Sequence, residues 1–241
     1  MTAGGPLLVI DTATTRAVIA VGDPDGSLLG VRSWTAGYRH GEELLANIEG
    51  LLRDLGLAPA SLGGLIVGTG PGAFTGLRVG IATAKGLAHA LALPIAGVST
   101  GEALLATALF AAATRQGAGA GGEGRVTTRF VLLQPAGLSD RVVSRPDSRP
   151  MILPGGEDPE LGGDEELVAV DLDGRAPADA VARGEAAHGG LAAALLEAGA
   201  VTIAAGGDDL ARLVPEYVTL PRGVLAALPE NAVELSGGST G

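Results

Sequence analysis

The segment VGTGPGAFTGLRVGIATAKG (Val67–Gly86) carries six glycines and one proline in twenty residues. A glycine-rich bend of this kind either holds a phosphate on its backbone N–H groups or lets helices approach closely. No Gly-Lys-Ser/Thr follows, so it is not a Walker loop, and Gly70, Gly72 and Gly76 do not have dinucleotide-binding spacing. Pro71 and the flanking glycines instead predict an abrupt strand-to-helix bend, with positive φ permitted at Gly70 or Gly72.

The helix predicted after this bend, from about Gly76 to Leu91, repeats small residues at every fourth position. The first strip is Gly76, Gly80, Ala84 and Ala88, and the second strip is Ala82, Gly86 and Ala90. Glycine inside a helix costs roughly 0.5–1 kcal/mol relative to alanine, so the glycines predict close packing against another helix or backbone. The packing partner lies either within the fold or on another chain, and the sequence leaves both open.

Apolar runs around this segment predict one lobe of strands and helices over residues 1–114. PLLVIDT, RAVIAVG and GSLLGVRSW are predicted strands of an antiparallel meander, with a sharp turn at Asp23–Gly26. HGEELLANIEGLLRDLGL repeats leucine and isoleucine at three- and four-residue spacing, which predicts an amphipathic helix. LGGLIVGTG and PIAGVS are predicted strands, and STGEALLATALFAAAT is a predicted helix capped by Ser99 or Thr100. The predicted order is β-β-β-α-β-α-β-α.

Beyond this lobe the pattern predicts a glycine-rich linker, residues 115–125, and a smaller lobe, residues 126–241, whose tail after Pro221 is frayed. Strands are predicted in VTTRFVLLQP, RVVSRP, RPMILP and ELVAVDLDG. PADAVARGEAAHGGLAAALLEAG predicts a helix in two pieces, and AVTIAAGG predicts another strand.

The composition excludes several classes of function. With no cysteine among 241 residues, disulfides, cysteine-ligated zinc and thiol catalysis are excluded. The net charge is −11, Lys85 is the single lysine and there are six aromatic residues, so the chain alone is expected to bind RNA or DNA poorly. The N-terminus lacks the cationic flank of a signal peptide, which together with the interrupted apolar runs predicts a cytoplasmic protein with no membrane span.

The stretch VIDTATT resembles the first phosphate loop of the actin-like ATPase superfamily, which includes sugar kinases, Hsp70 and actin. An acidic group there holds hydrated Mg²⁺, and hydroxyl or backbone N–H groups face the phosphates. Asp11, Thr12, Thr14 and Thr15 supply those groups, and Asp11, Thr12 and Thr14 are candidates for a weak residual ATP/Mg site. The alternative is that Asp11 and Thr14 satisfy a tight hairpin, as these residue types commonly do.

Two further segments have a functional and a structural interpretation. AAGGDDLARL (Ala204–Leu213) resembles the Gly-Gly turn that packs against adenine in active actin-like ATPases. Asp208 or Asp209 could equally cap a helix N-terminus, which we favour. EDPELGGDEEL is interpreted as a solvated acidic loop.

Several motifs in order resemble the TsaB (YeaZ) family. They are DTAT near the N-terminus, HGEELL opening the first helix, GTGPGAFTGLRVGIATAKGLA, LPIAGVST and PEYVTLPR (Pro215–Arg222). The resemblance is dense over residues 6–105 and thin beyond. One departure is that the family's Asp-Ala-Arg/Lys and Glu-Val-Tyr stretches are missing from LLQPAGLSDRVV, which puts any role tied to them in doubt.

The resemblance implies an α/β protein of the actin-like ATPase (ASKHA, ribonuclease H-like) fold, with two lobes that each contain a mixed β-sheet flanked by helices. It implies a non-catalytic scaffold that pairs with and activates the TsaD transferase, which makes N6-threonylcarbamoyladenosine at position 37 of tRNA. A TsaE-like ATPase joins the complex, tRNA is bound only indirectly, and the chain alone forms a weak homodimer. The implied partner interface comprises His40, Leu44, Leu45, Gly76, Arg78, Gly80, Thr83 and Ala84.

No metal site and no cofactor of its own are expected. The related transferase binds a metal through a His-x-x-x-His pair, and here Leu44 stands where the second histidine would follow His40. His89 and His188 are far from each other and from His40 in sequence. The alternative function is a working small-molecule kinase or ATPase of the same fold, which would need a catalytic carboxylate and a competent adenine site.

Overall fold

In the computed structural model the chain is described over residues 4–36, 40–117, 128–136, 139–146 and 148–218, and it forms two mixed β-sheets flanked by helices. The first sheet contains β1 (Leu7–Asp11), β2 (Arg16–Gly22), β3 (Leu28–Thr35), β4 (Gly64–Gly70) and β5 (Ile95–Ser99). Their spatial order is β3-β2-β1-β4-β5. The first three strands pair antiparallel, β4 runs parallel to β1, and β5 runs parallel to β4. The predicted meander and both later strands are confirmed.

Three helices cover the first sheet: α1 (His40–Asp54), α2 (Phe74–Leu91) and α3 (Thr100–Gly117). The alternation along β1 explains why both faces need cover. Leu8 and Ile10 belong to the core cluster that contains α1 and α2 residues, and Leu7 and Val9 to the cluster on the opposite face. All four side chains are almost completely buried. A central strand that is buried on both faces reads as a continuous apolar run, as LLVI does here.

The bend between β4 and α2 has the conformation that the sequence predicts. Gly70 has a φ of 105°, which is open to glycine and strained for other residues. The helix begins at Phe74, two residues earlier than predicted, and ends where Ala92 adopts a left-handed conformation with its N–H bonded to the carbonyls of Ala88 and His89.

The second sheet has the order β8-β7-β6-β9. Its strands are β6 (Arg129–Ala136), β7 (Asp140–Ser144), β8 (Met151–Leu153) and β9 (Glu165–Ala169). Each overlaps one of the four runs predicted to form strands, and β6, β7 and β9 each extend one residue beyond their run. The predicted linker, residues 115–125, begins inside α3, which continues to Gly117, and its residues 118–125 lie outside the described part of the chain.

One continuous helix, α4 (Ala178–Ala204), replaces the predicted two-piece helix and the strand AVTIAAGG, so both of these predictions are wrong. Two glycines inside this helix allow close packing against neighbouring elements. A Cβ at Gly184 would lie 1.9 Å from the carbonyl oxygen of Ala169 in β9, and one at Gly190 would lie 2.9 Å from Thr107 in α3. The helix ends at Ala204, and Gly206 and Gly207, which follow shortly after it, both have positive φ.

α4 joins the two lobes into one core. Leu191, Leu195 and Leu196 share a cluster with Val9 of the first sheet and Leu132 of the second. By length and composition alone α4 could cross a membrane. In this fold it is packed as a core helix, because those three leucines are fully buried against the sheets.

After α4 the chain returns to the first lobe, although it belongs to the region predicted as the smaller lobe. The Asp208 N–H donates to the Ile95 carbonyl, and the Asp208 carboxylate accepts a hydrogen bond from the Gly97 N–H at 2.8 Å. Leu213 is buried, and the Glu216 N–H donates to the Thr69 carbonyl. Asp208 therefore attaches the chain to the edge strand β5. Asp209 Oδ1 accepts a hydrogen bond from the Ala211 N–H at 2.9 Å within a turn, and among the described residues no helix begins at either aspartate, so the predicted helix cap is wrong. The predicted frayed tail lies outside the described residues.

Candidate functional site

The turn between β1 and β2 is satisfied by groups of the chain itself. The Asp11 side chain is fully buried, and its Oδ2 accepts a hydrogen bond from the Thr100 hydroxyl at 2.6 Å. Its Oδ1 accepts from the Ala13 N–H at 3.1 Å. A Cβ at Gly68 would lie 1.8 Å from Asp11 Oδ2, so this glycine makes room for the carboxylate. Asp11 is thus positioned between β4 and the start of α3, in contacts that fix the turn.

Thr12 ties the same turn to α2. Its hydroxyl donates to the Gly76 carbonyl at 2.7 Å, and its side chain is buried. A Cβ added at Gly80 would lie only 2.2 Å from Thr12 Oγ1. The glycine at position 80 therefore lets α2 approach the β1–β2 turn of the same chain.

Thr14 and its neighbours connect the turn to the second lobe. The Thr14 hydroxyl donates to the Arg16 carbonyl at 2.7 Å and lies 3.3 Å from Nε2 of His188 on α4. Burial lowers the pKa of His188, and the nearby Arg16 cation lowers it further. The Arg16 guanidinium pairs with Glu185, also on α4, at 2.7 Å.

Thr15 gives both of its donors to one carboxylate of the second lobe. Its N–H donates to Asp171 Oδ2 at 2.6 Å, and its hydroxyl donates to Asp171 Oδ1 at 2.5 Å. Sequence reasoning did not identify Asp171, and no local pattern around it indicates this contact. The side chains that the sequence proposes as phosphate contacts, Asp11, Thr12 and Thr14, thus all have partners within the chain. Whether a weak nucleotide site exists beside them stays a prediction.

The first strip on α2 faces the inside of the molecule, which corrects the interface prediction. Gly76, Gly80 and Ala84 are buried against the first sheet and its turn, and Leu44 of α1 is 1% exposed within the same core. Their side chains cannot offer surface to a partner in this fold. The sequence indicates that α2 packs closely against another element, but it does not indicate which side of α2 faces the first sheet.

The second strip faces outward. Ala82, Gly86 and Ala90 are exposed, and a Cβ at Gly86 would have no atom within 4 Å. The helix therefore carries an interior glycine here that no packing within the described chain explains. On α1, which packs beside α2, the Leu45 side chain is 56% exposed. The second strip and Leu45 are exposed residues of two helices in contact, and we call them together the outer face.

The other predicted interface residues divide between this surface and its border. Thr83 is half-buried and Arg78 is exposed. The backbone of His40 opens α1, and its side chain lies outside the described part of the structure. These residues, like Leu45, stay predicted interface residues.

An aromatic and cationic cluster borders the outer face at the start of α2. The Arg78 guanidinium lies 3.7 Å from the centre of the Phe74 ring, and its Nε donates to the Tyr217 hydroxyl at 2.9 Å. The Phe74 and Tyr217 rings are 5.4 Å apart, centre to centre. Sequence reasoning did not connect these residues, although both motifs that contain them were singled out. The cluster fixes the end of the returning segment on α2.

Glu216, next to this cluster, accepts a hydrogen bond from the Ser99 hydroxyl at 3.1 Å. Burial raises the pKa of the Glu216 carboxyl, and the nearby Glu102 carboxylate raises it further. No group of three or more His, Asp or Glu side chains that could hold a metal ion occurs among the described residues.

Comparison with solved structures defines the class of protein. YeaZ from Pseudomonas aeruginosa superposes with a TM-score of 0.61 at 23% identity, covering 88% of this chain and 99% of that one. A second Pseudomonas aeruginosa structure, described as similar to peptidase YEAZ, gives 0.57 at 22% identity, covering 89% of this chain and 100% of that one. With the strand order found here, these similarities give the chain an actin-like fold of two lobes.

Sequence comparison adds relatives that share part of the chain. The family model described as TsaD, tRNA N6-adenosine threonylcarbamoyltransferase, matches residues 27–118. The tRNA threonylcarbamoyladenosine biosynthesis protein TsaB of Escherichia coli is 36% identical over 94 residues, 39% of this chain and 40% of that protein. TsaB of Bacillus subtilis is 34% identical over 100 residues, 42% of this chain and 43% of that protein. Over this part of its length the chain is similar to proteins of the TsaB (YeaZ) family.

The match is confined to part of each protein. An uncharacterized protein of Mycobacterium leprae is 42% identical over 101 residues, which are 41% of this chain and 28% of that protein. The chain thus spans less than half the length of the curated relatives named here. The family-model match over residues 27–118 contains the bend, α1 and α2, so it includes the part of the fold that carries the outer face.

Proposed function

We propose that this protein is a non-catalytic scaffold subunit in the biosynthesis of N6-threonylcarbamoyladenosine in tRNA, and that it pairs with and activates a TsaD-type transferase. The observation that carries the proposal is the outer face. Gly86 weakens its helix by roughly 0.5–1 kcal/mol relative to alanine without a packing reason inside the described chain. Close approach by a helix of another subunit supplies that reason.

The outer face has the chemistry of a helix-packing surface. Alanine and glycine let two backbones come close, and Leu45 adds an exposed apolar side chain whose burial would contribute about 25 cal/mol per Å². The family model that matches this region is that of the transferase itself. Two chains with related α1–α2 pairs can pack around a pseudo-twofold axis, so a transferase is the partner that we propose and a second copy of this chain is a weaker alternative partner.

The net charge of the chain favours indirect binding of tRNA, through another subunit. A net charge of −11 opposes phosphate binding, so the transferase or another subunit would hold the tRNA. We further propose that a TsaE-like ATPase joins the complex and that the protein works in the cytoplasm.

A reconstitution experiment tests the proposal. The purified chain is mixed with its TsaD-type transferase, passed over a size-exclusion column, and then assayed for modified nucleoside in tRNA with the remaining components present. We expect co-elution and a loss of modification when this chain alone is omitted. Separate elution, or full modification without the chain, would refute the proposal.

The alternative, a working kinase or ATPase of the same fold, has less support, because the hydroxyls of Thr12, Thr14 and Thr15 are all engaged within the chain. Calorimetric titration with Mg-ATP separates the two functions. Micromolar binding that Asp11→Ala abolishes, accompanied by steady phosphate release, would favour the kinase over the scaffold.

A further inference from the structure

An open, mostly apolar cavity lies between α3 and the second sheet. Its volume is about 470 Å³, and its apolar lining comes from Leu105 and Leu109 on α3, Phe130 on β6 and Pro146 after β7. Leu109 is 45% exposed, and the neighbouring Phe110 is 75% exposed. Large apolar side chains that remain exposed beside a cavity indicate a surface that another segment covers.

Two side chains of opposite charge also line this cavity. Glu102 lies in the first turn of α3, Arg129 is the first residue of β6, and both are exposed. A segment that complements the cavity is therefore apolar in its middle and carries a cation on one side and an anion on the other.

We propose that the cavity binds a later segment of the same chain, with residues 223–228 (GVLAAL) against its apolar lining. We call these six residues the apolar run. A cation, Arg222, comes directly before the apolar run and pairs with Glu102. An anion, Glu230, comes two residues after the run and pairs with Arg129.

The described part of the chain ends beside the cavity. Glu216 lines a smaller pocket, and that pocket shares Glu102 and Leu105 with the cavity. The last described residue, Val218, follows two positions later. Five residues separate Val218 from the apolar run, and five extended residues span up to roughly 17 Å. The run can therefore reach the cavity, and the chain direction brings its cation to the Glu102 side first.

The connection between α3 and β6 also lies next to the cavity, because Thr128 lines it. Its residues 118–127 read AGAGGEGRVT, in which Val126 is the one apolar side chain larger than alanine. The apolar run carries three such side chains, Val224, Leu225 and Leu228. Since the free energy gained on burial grows with the apolar area removed from water, the apolar run is the better occupant.

Disulfide formation tests the proposal, because the chain has no cysteine of its own. The test pair is Leu109→Cys with Leu225→Cys in the full-length chain, and a second series places the later cysteine at Leu228. The purified proteins are oxidised with glutathione disulfide at low micromolar concentration. Formation of the disulfide within one chain is followed on non-reducing gels.

The matched control pair joins Leu225→Cys to Val201→Cys, which is 70% exposed on α4. The end of α4 lies near the start of β4, because a Cβ at Gly64 would be 3.1 Å from Ile203. Glu216 lies near the other end of the same strand, where its N–H donates to the Thr69 carbonyl. Position 201 is therefore exposed but far from the cavity.

We expect the test pair in at least one of the two series to close its disulfide at least about tenfold faster than the control, because docking raises the effective concentration of the two thiols. Adding Arg222→Glu should slow closure by about threefold, and adding Glu102→Arg as well should restore it. Equal rates of the test and control pairs in both series overturn the proposal. A disulfide between two chains would assign the cavity to a second copy and overturn it too.

A second measurement leaves the cavity unaltered. Leu225→Asp/Leu228→Asp should bind the dye 1-anilinonaphthalene-8-sulfonate with at least about threefold higher fluorescence than the wild type, because the apolar lining is then uncovered. The control is Val233→Asp/Leu235→Asp, which changes two apolar residues further along the chain and should match the wild type. Equal fluorescence of the two double variants would contradict docking of the apolar run.

Discussion

Replacing two glycines of the same helix by alanine should change stability in opposite directions. Gly80 and Gly86 both lie inside α2, so each substitution gains roughly 0.5–1 kcal/mol of helix propensity. At Gly86 nothing lies within 4 Å of the new methyl group, so Gly86→Ala should stabilise the protein by about that amount. At Gly80 the methyl group would lie 2.2 Å from Thr12 Oγ1 and must displace it.

The magnitude at Gly80 follows from two contributions. Overpacking of a well-packed core typically costs about 1–3 kcal/mol. Moving the Thr12 hydroxyl also weakens its buried hydrogen bond to the Gly76 carbonyl, a loss of about 0.5–1.5 kcal/mol. After subtraction of the propensity gain, Gly80→Ala should destabilise the protein by about 0.5–4 kcal/mol.

Urea titration of both variants and of Thr12→Ala/Gly80→Ala measures these changes. In the double variant the obstructing hydroxyl is gone, so Gly80→Ala should cost at least about 1 kcal/mol less in the Thr12→Ala background than in the wild type. The reasoning is refuted if Gly80→Ala is as stabilising as Gly86→Ala. That result would mean that the first strip does not pack against the turn.

Three further predictions concern titratable side chains. Burial lowers the pKa of His188 in the folded state, so its contribution to stability should be full above about pH 6.5 and decrease as the pH falls below that value. In His188→Gln the urea midpoint of unfolding should therefore depend less on pH below about pH 6.5 than it does in the wild type. The pKa of Glu216 is raised in the folded state, so ionisation of this carboxyl opposes folding. Glu216→Gln should therefore be more stable than the wild type at pH 8, and this difference in stability should vanish near pH 4. The hydrogen bond from Arg145 lowers the pKa of Glu165 to about 2, a contribution that is present above about pH 4.5 and lost toward pH 2. Arg145→Gln should therefore shift the acid-unfolding midpoint to higher pH, as measured by circular dichroism.

The first lobe could be predicted from sequence because its signals are local. Leu44, Ile48 and Leu51 repeat at helical spacing and all three are buried. The strand-to-helix bend could be predicted for the same reason, because Gly70 and Pro71 are themselves the residues that adopt the required backbone conformation.

The second lobe and the site depend on contacts between residues that are far apart in sequence, and local sequence patterns do not predict such contacts. α4 is one continuous helix where two pieces are predicted, and the poor helix formers Gly184 and Gly190 inside it are explained by the nearness of Ala169 and Thr107. The contact of Thr15 with Asp171 spans 156 positions in sequence. The direction in which each strip of α2 points likewise depends on where the first sheet lies.

The affinity of the TsaD-type transferase for two tryptophan variants tests the scaffold role most directly. Ala82 lies on the outer face, and Ala193 is also an exposed alanine, inside α4. With calorimetric titration, we predict that Ala82→Trp weakens binding by at least about tenfold, a loss of about 1.4 kcal/mol, while Ala193→Trp stays within about twofold of the wild type. Unchanged affinity of Ala82→Trp, with both variants folded, would contradict the assignment of the outer face as the docking surface.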